Sequence, residues 1–409
     1  MSTRRYTAAD LVTPEVIANP YPAYAALRAD SPVAGYADHP PGTVPGRDAP
    51  TPAWALLAHA HVVAAARDHR TFSSADFQQG TSAPTLMLVN HDPPEHARLR
   101  RLVSRAFTPK RVRELGPWVD AMIGAILDGL PPGEIDAVAA IASEIPPRVM
   151  LHLLGLPPAD TGRLKHWANA FMLSAPMTPE ERMRSNVEMM AYFAAAVAAR
   201  TRALAAGGAP DGTLLDALLT AEDDDGGRLS TDEVVRFCFT LVVAGSETTM
   251  YFGANVLHAL VTHPELLAPL RADPAAIGAF LNEVLRLTGP PQRLFRRVMR
   301  DVEIGGKAIR AGEWVALFFA AANHDPAVFP DPEMLRLDRP NAGEHLTYGT
   351  GIHYCLGGPL ATLEVERMVA ALLARYAAID AGSRPPVPQT TTLLQHSYTA
   401  IPVILRRKV

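Results

Sequence analysis

Apolar residues recur with helical spacing through long alanine-rich segments, notably Val112 to Leu130, Glu180 to Leu204, Thr231 to His263 and Pro274 to Leu287. Such spacing puts one apolar stripe on a helix of 3.6 residues per turn, so the pattern predicts a mainly α protein. Helix starts are legible too. Ser230 precedes Glu233 by three residues, which makes a capping box, and Thr178-Pro179-Glu180-Glu181 supplies a cap, a first-turn proline and early acids. Shorter stretches with β character lie at Ala53 to Leu57, Val302 to Ile304 and Trp314 to Phe319, with tight turns at Gly305-Gly306 and Ala311-Gly312. A small β region beside a helical body is expected.

Two stretches fit neither period. Ser73 to Asn90, with Gly80, Pro84 and the apolar run Leu86-Met87-Leu88-Val89, is long for a loop and is expected to line a site. Ala170 to Thr178, with Phe171, Met172, Leu173 and Met177 around Pro176, reads as a lid with an apolar underside or as a packed helix connector. Glu222 to Gly227 is acidic and glycine-containing, and reads as a solvated loop.

Composition narrows the class. The 409 residues, 48% of them hydrophobic, can bury a large core, and no linker divides them, so a single domain over 1–409 is expected. A net charge of −4 gives no basic footprint for nucleic acid. Only Cys238 and Cys355 are present, too few for a disulfide framework and suited to a reducing compartment. Met1 to Asp10 is polar with no apolar stretch after it, and no apolar run reaches the roughly 18 residues of a spanning helix. A cytoplasmic protein without membrane attachment is expected.

The chemistry concentrates near the C-terminal end, at Tyr348-Gly349-Thr350-Gly351-Ile352-His353-Tyr354-Cys355-Leu356-Gly357-Gly358. Gly349, Gly351 and Gly357 permit positive φ and close approach of backbone to a flat ligand. The helix expected to start near Pro359 and Leu360 would present its positive end to a Cys355 thiolate and lower the thiol pKa. This stretch resembles the haem-thiolate loop of the cytochrome P-450 family. The resemblance implies that Cys355 is the axial ligand of haem iron, a ligand that pushes electron density onto the metal and favours O–O cleavage.

Further segments agree with that family. Leu241-Val242-Val243-Ala244-Gly245-Ser246-Glu247-Thr248-Thr249 resembles its oxygen-activation motif. There the small residues let the helix approach bound oxygen, a local loosening of the helix admits water, Thr248 donates a hydrogen bond and Glu247 belongs to a proton relay. The alternative for the same residues is a threonine bonded back to a helix carbonyl and a glutamate on the wet side. Glu283 and Arg286 form a Glu-x-x-Arg pair on one helix face, resembling the family's buried structural pair. Arg336 and Arg339 are the candidates to complete its network, since Pro332-Glu333-Met334-Leu335 lacks the usual arginine. His96 and Arg100, at i and i+4, resemble a pair for one haem propionate, Arg296 the strand arginine for the other, and His353 a further propionate partner. Arg297 would face away, because strand side chains alternate. Cys238 reads as core packing and His324 and Asp325 as structural, while Tyr348 stands where most members have phenylalanine and would alter hydrogen bonding near the sulfur.

The resemblance runs from Asn19-Pro20-Tyr21-Pro22 to Ile401-Pro402-Val403, in the style of soluble bacterial members. It implies the family's triangular-prism fold, mainly α with a small β region, and haem b as cofactor. It also implies monooxygenase chemistry on a medium-sized hydrophobic substrate, with O2 and with electrons from a ferredoxin and its NAD(P)H-dependent reductase. Candidate pocket residues on this basis are Leu86, Met87, Val89, Val243, Ala244, Thr248, Pro291, Gln292, Leu294 and those near Leu393 to His396, with Gln292 and Arg293 as polar handles. The rivals are a same-fold peroxygenase, a same-fold oxidative-coupling enzyme and a non-catalytic haem protein that binds gas. Glu247 and Thr248 speak against the first and the last.

Overall fold

Helical periodicity becomes burial most completely in Thr231–Thr262, which is apolar nearly all round from Val234 to Leu260 and forms the axis of the helical body. Its start is the expected capping box. The Ser230 N–H donates to the Glu233 carboxylate at 2.7 Å and the Glu233 N–H to Ser230 Oγ at 3.2 Å. Around it pack Ile145–Leu154, Thr161–Phe171, Pro179–Ala205, Ala276–Thr288 and Gly358–Arg375. Cys238 lies in this core as expected. This computed structural model describes residues 6–40, 43–44, 47, 49–75, 84–172, 176–392 and 394–408. Leu173 of the lid segment, Leu393 and residues 76–83 of the long loop lie outside the described residues.

The predicted helix Val112 to Leu130 is two helices, Pro109–Glu114 and Gly116–Asp128. Pro117 has no N–H to donate back across the junction, so the ladder breaks there. The β stretch at Trp314 ends at Leu317, after which Phe319–Ala322 turns helical. A five-stranded sheet runs in the order Val33–His39, Thr51–Leu56, Trp314–Leu317, Leu294–Val298, Phe72–Ser73. Thr51–Leu56 and Trp314–Leu317 pair in parallel, and the other neighbours are antiparallel. In a second sheet Pro402–Arg407 lies between Glu134–Asp136 and Tyr376–Ala381. The acidic segment at 222–227 is anchored as well as solvated: Asp223 is buried, accepts the Gly227 N–H at 2.6 Å and pairs with Arg101 at 3.0 Å.

One buried ion pair ties the helical body to the segment leading into the cysteine loop. Arg286 donates from Nε to Glu283 Oε1 at 2.7 Å and from Nη2 to Oε2 at 3.1 Å, and both side chains are fully buried. Its remaining donors reach the carbonyls of Asn323 at 3.2 Å, Pro332 at 2.7 Å and Met334 at 3.0 Å. Arg339 is the third member, with Nε 2.9 Å from Glu283 Oε1, while Arg336 contributes only its backbone N–H at 2.9 Å. The Arg336 side chain goes to Asp338 instead. Asn323 then carries the connection onward: its Oδ1 accepts the Leu346 N–H at 2.6 Å, and Thr347 Oγ1 donates to Leu285 O at 2.6 Å. His324, buried between Leu287 O and Glu333, has the expected structural role.

Glu283→Ala is expected to lower unfolding free energy by about 3–5 kcal/mol, because Arg286 and Arg339 are left charged and buried. Burial alone would raise the Glu283 carboxyl, but Arg286, Arg336 and Arg339 hold it below its ordinary 4.5. A depressed folded value means that this stabilisation is complete above the unfolded value and fades as pH falls through the folded one. Urea midpoints of wild type and variant should therefore converge only in acid; a gap independent of pH down to strong acid would refute the ionic account.

Candidate functional site

Two glycines give the cysteine loop its shape. Gly349 and Gly351 have φ of 69° and 71°, and a Cβ on Gly351 would lie 2.9 Å from Ala66 O. Gly357 differs from expectation: its φ is −81° and a Cβ there would meet no protein atom within 4 Å. The Cys355 N–H closes the loop on Tyr348 O at 2.9 Å, and the following helix begins at Gly358. Cys355 keeps accessible surface although protein surrounds it. Burial pushes the thiol above its ordinary value, against the pull of the Gly357 and Gly358 N–H groups and Arg100. The expected lowering by the helix start is thus outweighed in the protein alone, since desolvating the sulfur costs more than two N–H groups return. A metal at the sulfur would reverse that balance. The Tyr348 hydroxyl pairs with Thr362 Oγ1 at 2.9 Å, so that bond, rather than one to the sulfur, is what the phenol adds.

Cationic and imidazole groups gather beside this loop. His96, on the helix Glu95–Ala106, is buried, and its ring lies 4.8 Å from that of His353. Among the described residues, neither buried Nε2 atom has a hydrogen-bond partner. Arg296 is buried and donates from Nη1 to Phe295 O at 2.7 Å; burial pulls its guanidinium down to about 10 against the opposing charge of Asp92. Burial, with Arg296, His96 and Arg100 adding to it, holds His353 down to about 3. Arg297 turns to the opposite strand face and stacks over Trp314 at 5.1 Å, as alternation required. His69 is a member that sequence reasoning missed: its charge bears on both His96 and His353, and its Nδ1 is buried without a partner. It sits in Asp68-His69-Arg70, a polar stretch that reads as surface. Asp92, the acid beside Arg296, is already engaged by Ser73 and by the Ser74 N–H at 3.1 Å.

Such a cluster fits the two carboxylates of a haem. Buried donors with no acid of their own need an anion, and an arginine fork suits a carboxylate. Among the described residues no three His, Cys, Asp or Glu converge to hold an ion directly. A single thiolate suits an iron whose other ligands come from a macrocycle.

The central helix contributes a face with one opening. Ala244 is exposed and Thr248, one turn on, is partly exposed, while Val243, Ser246 and Glu247 are buried. The Thr248 hydroxyl donates to the Ala244 carbonyl. The helix is continuous from Thr231 to Thr262, so the expected loosening is not seen, and the Thr248 hydroxyl makes the bond back to a helix carbonyl that was the alternative reading of this residue. Gly245 is small for packing reasons: a Cβ there would press on Met150 Cε at 3.2 Å. Glu247 is 2% exposed, which removes the wet-side alternative.

The pocket candidates divide. The Met87 N–H donates to Thr240 Oγ1 at 2.8 Å, which brings Leu86 and Met87 to the central helix, whereas Val89 is exposed. Pro291 bridges to Gln395, and the Gln292 N–H donates to Leu394 O at 2.9 Å, joining the two segments thought to line the pocket. Gln292 is a weaker handle than expected, because its Nε2 is committed to Gly289 O and Pro290 O. Arg293 lies over Phe318 at 5.2 Å, on the strand face opposite Arg296, and does not join the site. Leu294 packs half-buried against the sheet core.

Comparison with known proteins agrees with this geometry. Residues 164–402 match the family model described as Cytochrome P450. The chain is 35% identical over 369 residues to the cytochrome P450 monooxygenase PikC of Streptomyces venezuelae, covering 88% of this chain and 84% of that protein. It is likewise 35% identical over 365 residues to the vitamin D(3) 25-hydroxylase of Pseudonocardia autotrophica, covering 87% and 86%. The solved structure of cytochrome P450 CYP109Q5 from Chondromyces apiculatus superposes with a TM-score of 0.85 at 32% identity, covering 97% of this chain and 98% of that one.

Arg296→Leu and Arg100→Leu are each expected to weaken retention of haem by about 2–5 kcal/mol, the cost of leaving a poorly solvated carboxylate without its cation. Haem content after gel filtration measures it. Wild-type haem content in both variants would remove these arginines from the site.

Proposed function

This chain belongs to the cytochrome P450 family, and from that premise we propose which of its residues carry each part of the family's chemistry. It is a haem-thiolate monooxygenase acting on hydrophobic substrates, with redox partners supplying electrons. Bound haem supplies the redox chemistry by which one atom of O2 enters the substrate and the other leaves as water. Cys355 is the thiolate ligand of the iron. The observation that supports this most is a single thiol on a loop shaped by two left-handed glycines, near buried imidazole nitrogens that have no hydrogen-bond partner among the described residues. His96, Arg100, Arg296 and His353 hold the propionates, and haem b is the form this donor set suits.

Thr248 holds a hydroxyl proton on the open face of the central helix, and the bond to Ala244 fixes where that proton sits. Glu247, buried beside it, supplies protons to that face. This pair favours turnover driven by O2 over a peroxygenase or a gas-binding protein. Leu86 and Ala244 line the substrate side, with Met87 and Val243 packed behind them and Pro291 and Leu294 nearby, and exclude water from it. A medium-sized hydrophobic molecule fits such a lining, and the relative named for vitamin D(3) hydroxylation supports that size class. On the cysteine side a groove of ≈ 440 Å³, lined by Arg113, His345, Tyr348, Tyr354 and Glu366, offers a mixed-charge surface to a ferredoxin fed by its NAD(P)H-dependent reductase. Among the described residues no helix is long and apolar enough to cross a membrane. The cytoplasm is the proposed location, and one domain over 1–409 is the proposed unit.

Cys355→Ala is expected to lose the absorption at roughly 450 nm that thiolate-ligated haem gives when reduced with carbon monoxide. If the variant keeps that band, another group ligates the iron.

Thr248→Ala is expected to bind substrate and accept electrons while releasing more hydrogen peroxide, with product per NAD(P)H falling about tenfold. The comparison needs a substrate that wild type couples well, found by its spectral shift on the ferric enzyme. Unchanged coupling would take the proton role away from Thr248.

A further inference from the structure

The helix Pro179–Ala205 packs one face on Thr161–Phe171 and Thr231–Thr262, where Met189, Phe193 and Val197 are buried. Its outer face is exposed yet largely apolar. Met183 is 50% exposed and Val187 63%, and the exposed Ala191, Ala194, Ala195 and Ala199 follow them. No residue between Glu188 and Arg200 is ionisable. Helices that face water ordinarily carry polar side chains on that side. The alanines suit a helix anywhere, but valine is a poorer helix former and gains nothing by standing in water. Steps of three and four residues from Glu180 through Val187, Ala191 and Ala195 to Arg202 trace a single line along this face. Glu180 and Arg202, at the two ends of the line, are exposed and have no ion partner among the described residues.

We propose that this face pairs antiparallel with the same face of a second copy of the chain, about a twofold axis passing at Ala191. A twofold interface must be complementary to itself, and this surface is. Glu180 of one copy lies opposite Arg202 of the other, and the symmetry repeats the pair. Val187 meets Ala195 and Met183 meets Ala199, so bulky side chains at one end of the helix pack over small ones at the other. Arg184, opposite Ala198, lays its apolar stem along the seam and keeps its charge at the rim. A parallel arrangement would set glutamate on glutamate and arginine on arginine, so the charges select the antiparallel one. The seam is about 33 Å long and buries on the order of 1,000 Å² in all, the low end for specific association, so the dimer is a weak one. The inference rests on this surface alone and not on the monooxygenase reading.

Sedimentation velocity of the haem-loaded 409-residue chain tests the pairing. Between about 1 and 200 µM, the range suited to so small an interface, wild type should pass from monomer to dimer. Glu180→Arg and Arg202→Glu, which set like charges together, should each weaken dimerisation about tenfold. The double variant should return to within about threefold of wild type, because a swapped pair is again a pair. Ala191→Glu, which brings two carboxylates together on the axis, should leave only monomer. All three positions are exposed, so haem content and thermal midpoint should stay at their wild-type values in every variant. Monomer alone at the highest wild-type concentration overturns the proposal. So does a dimer that Ala191→Glu leaves intact, or a double variant no better than either single one.

Discussion

The ion pair between Glu283 and Arg286 is the constraint on which the remaining geometry depends. A guanidinium moved out of water is stable only when each donor finds an acceptor, and Arg286 finds its acceptors in Glu283 and the carbonyls of Asn323, Pro332 and Met334. These carbonyls belong to the irregular segment that leads from the sheet to the cysteine loop. Irregular backbone has no ladder to fix it, so a buried charge does so here. Thr347 then bonds back to Leu285 on the same helix, between the two members of the pair in sequence. Gly289 is needed beside it, because a Cβ there would meet Leu285 O and Thr347 Oγ1 at 2.3 Å. The position of Cys355 is thus inherited from a helix 70 residues earlier.

The site carries the opposite kind of electrostatics. Around the loop, histidines and arginines are crowded into poorly solvated space with little acid to balance them, and burial pulls Arg296 and His353 toward their neutral forms. A fold does not gather such groups for stability. Two carboxylates arriving with a haem would supply the missing charge and repay the desolvation already incurred, which makes ligand binding and folding parts of one equilibrium.

Much of this was legible in the sequence. Periodicity gave the long helices within a residue or two at most ends, the capping box at Ser230 formed as read, and the cap read at Thr178 proved to be a full capping box. What escaped had physical reasons. Pro117 breaks a helix that apolar spacing alone continues. Arg339, not Arg336, completes the Glu283 network, because neighbours in an irregular segment have no periodicity that says which one turns inward. His69 reads as surface until the fold brings it near enough for its charge to bear on His96. Gly245 also leaves room for Met150, which the motif alone does not show. Spacing reports which residues share a face, but it does not report what the face meets.

Two buried glutamates make the point in energetic terms. Glu283 and Glu364 both sit on helices, fully shielded from solvent, and burial pushes each toward its protonated form. Glu283 has arginines on it and stays ionised below its ordinary value, so it works as a fixed charge that organises backbone. Glu364 has none, and burial raises it well above that value beside the cavity where the central helix and the cysteine helix meet. Exchanging their surroundings would exchange their roles, because the side chain is the same in both. The environment that the fold builds, rather than the residue type, decides whether burial or a paired charge wins at a buried carboxyl.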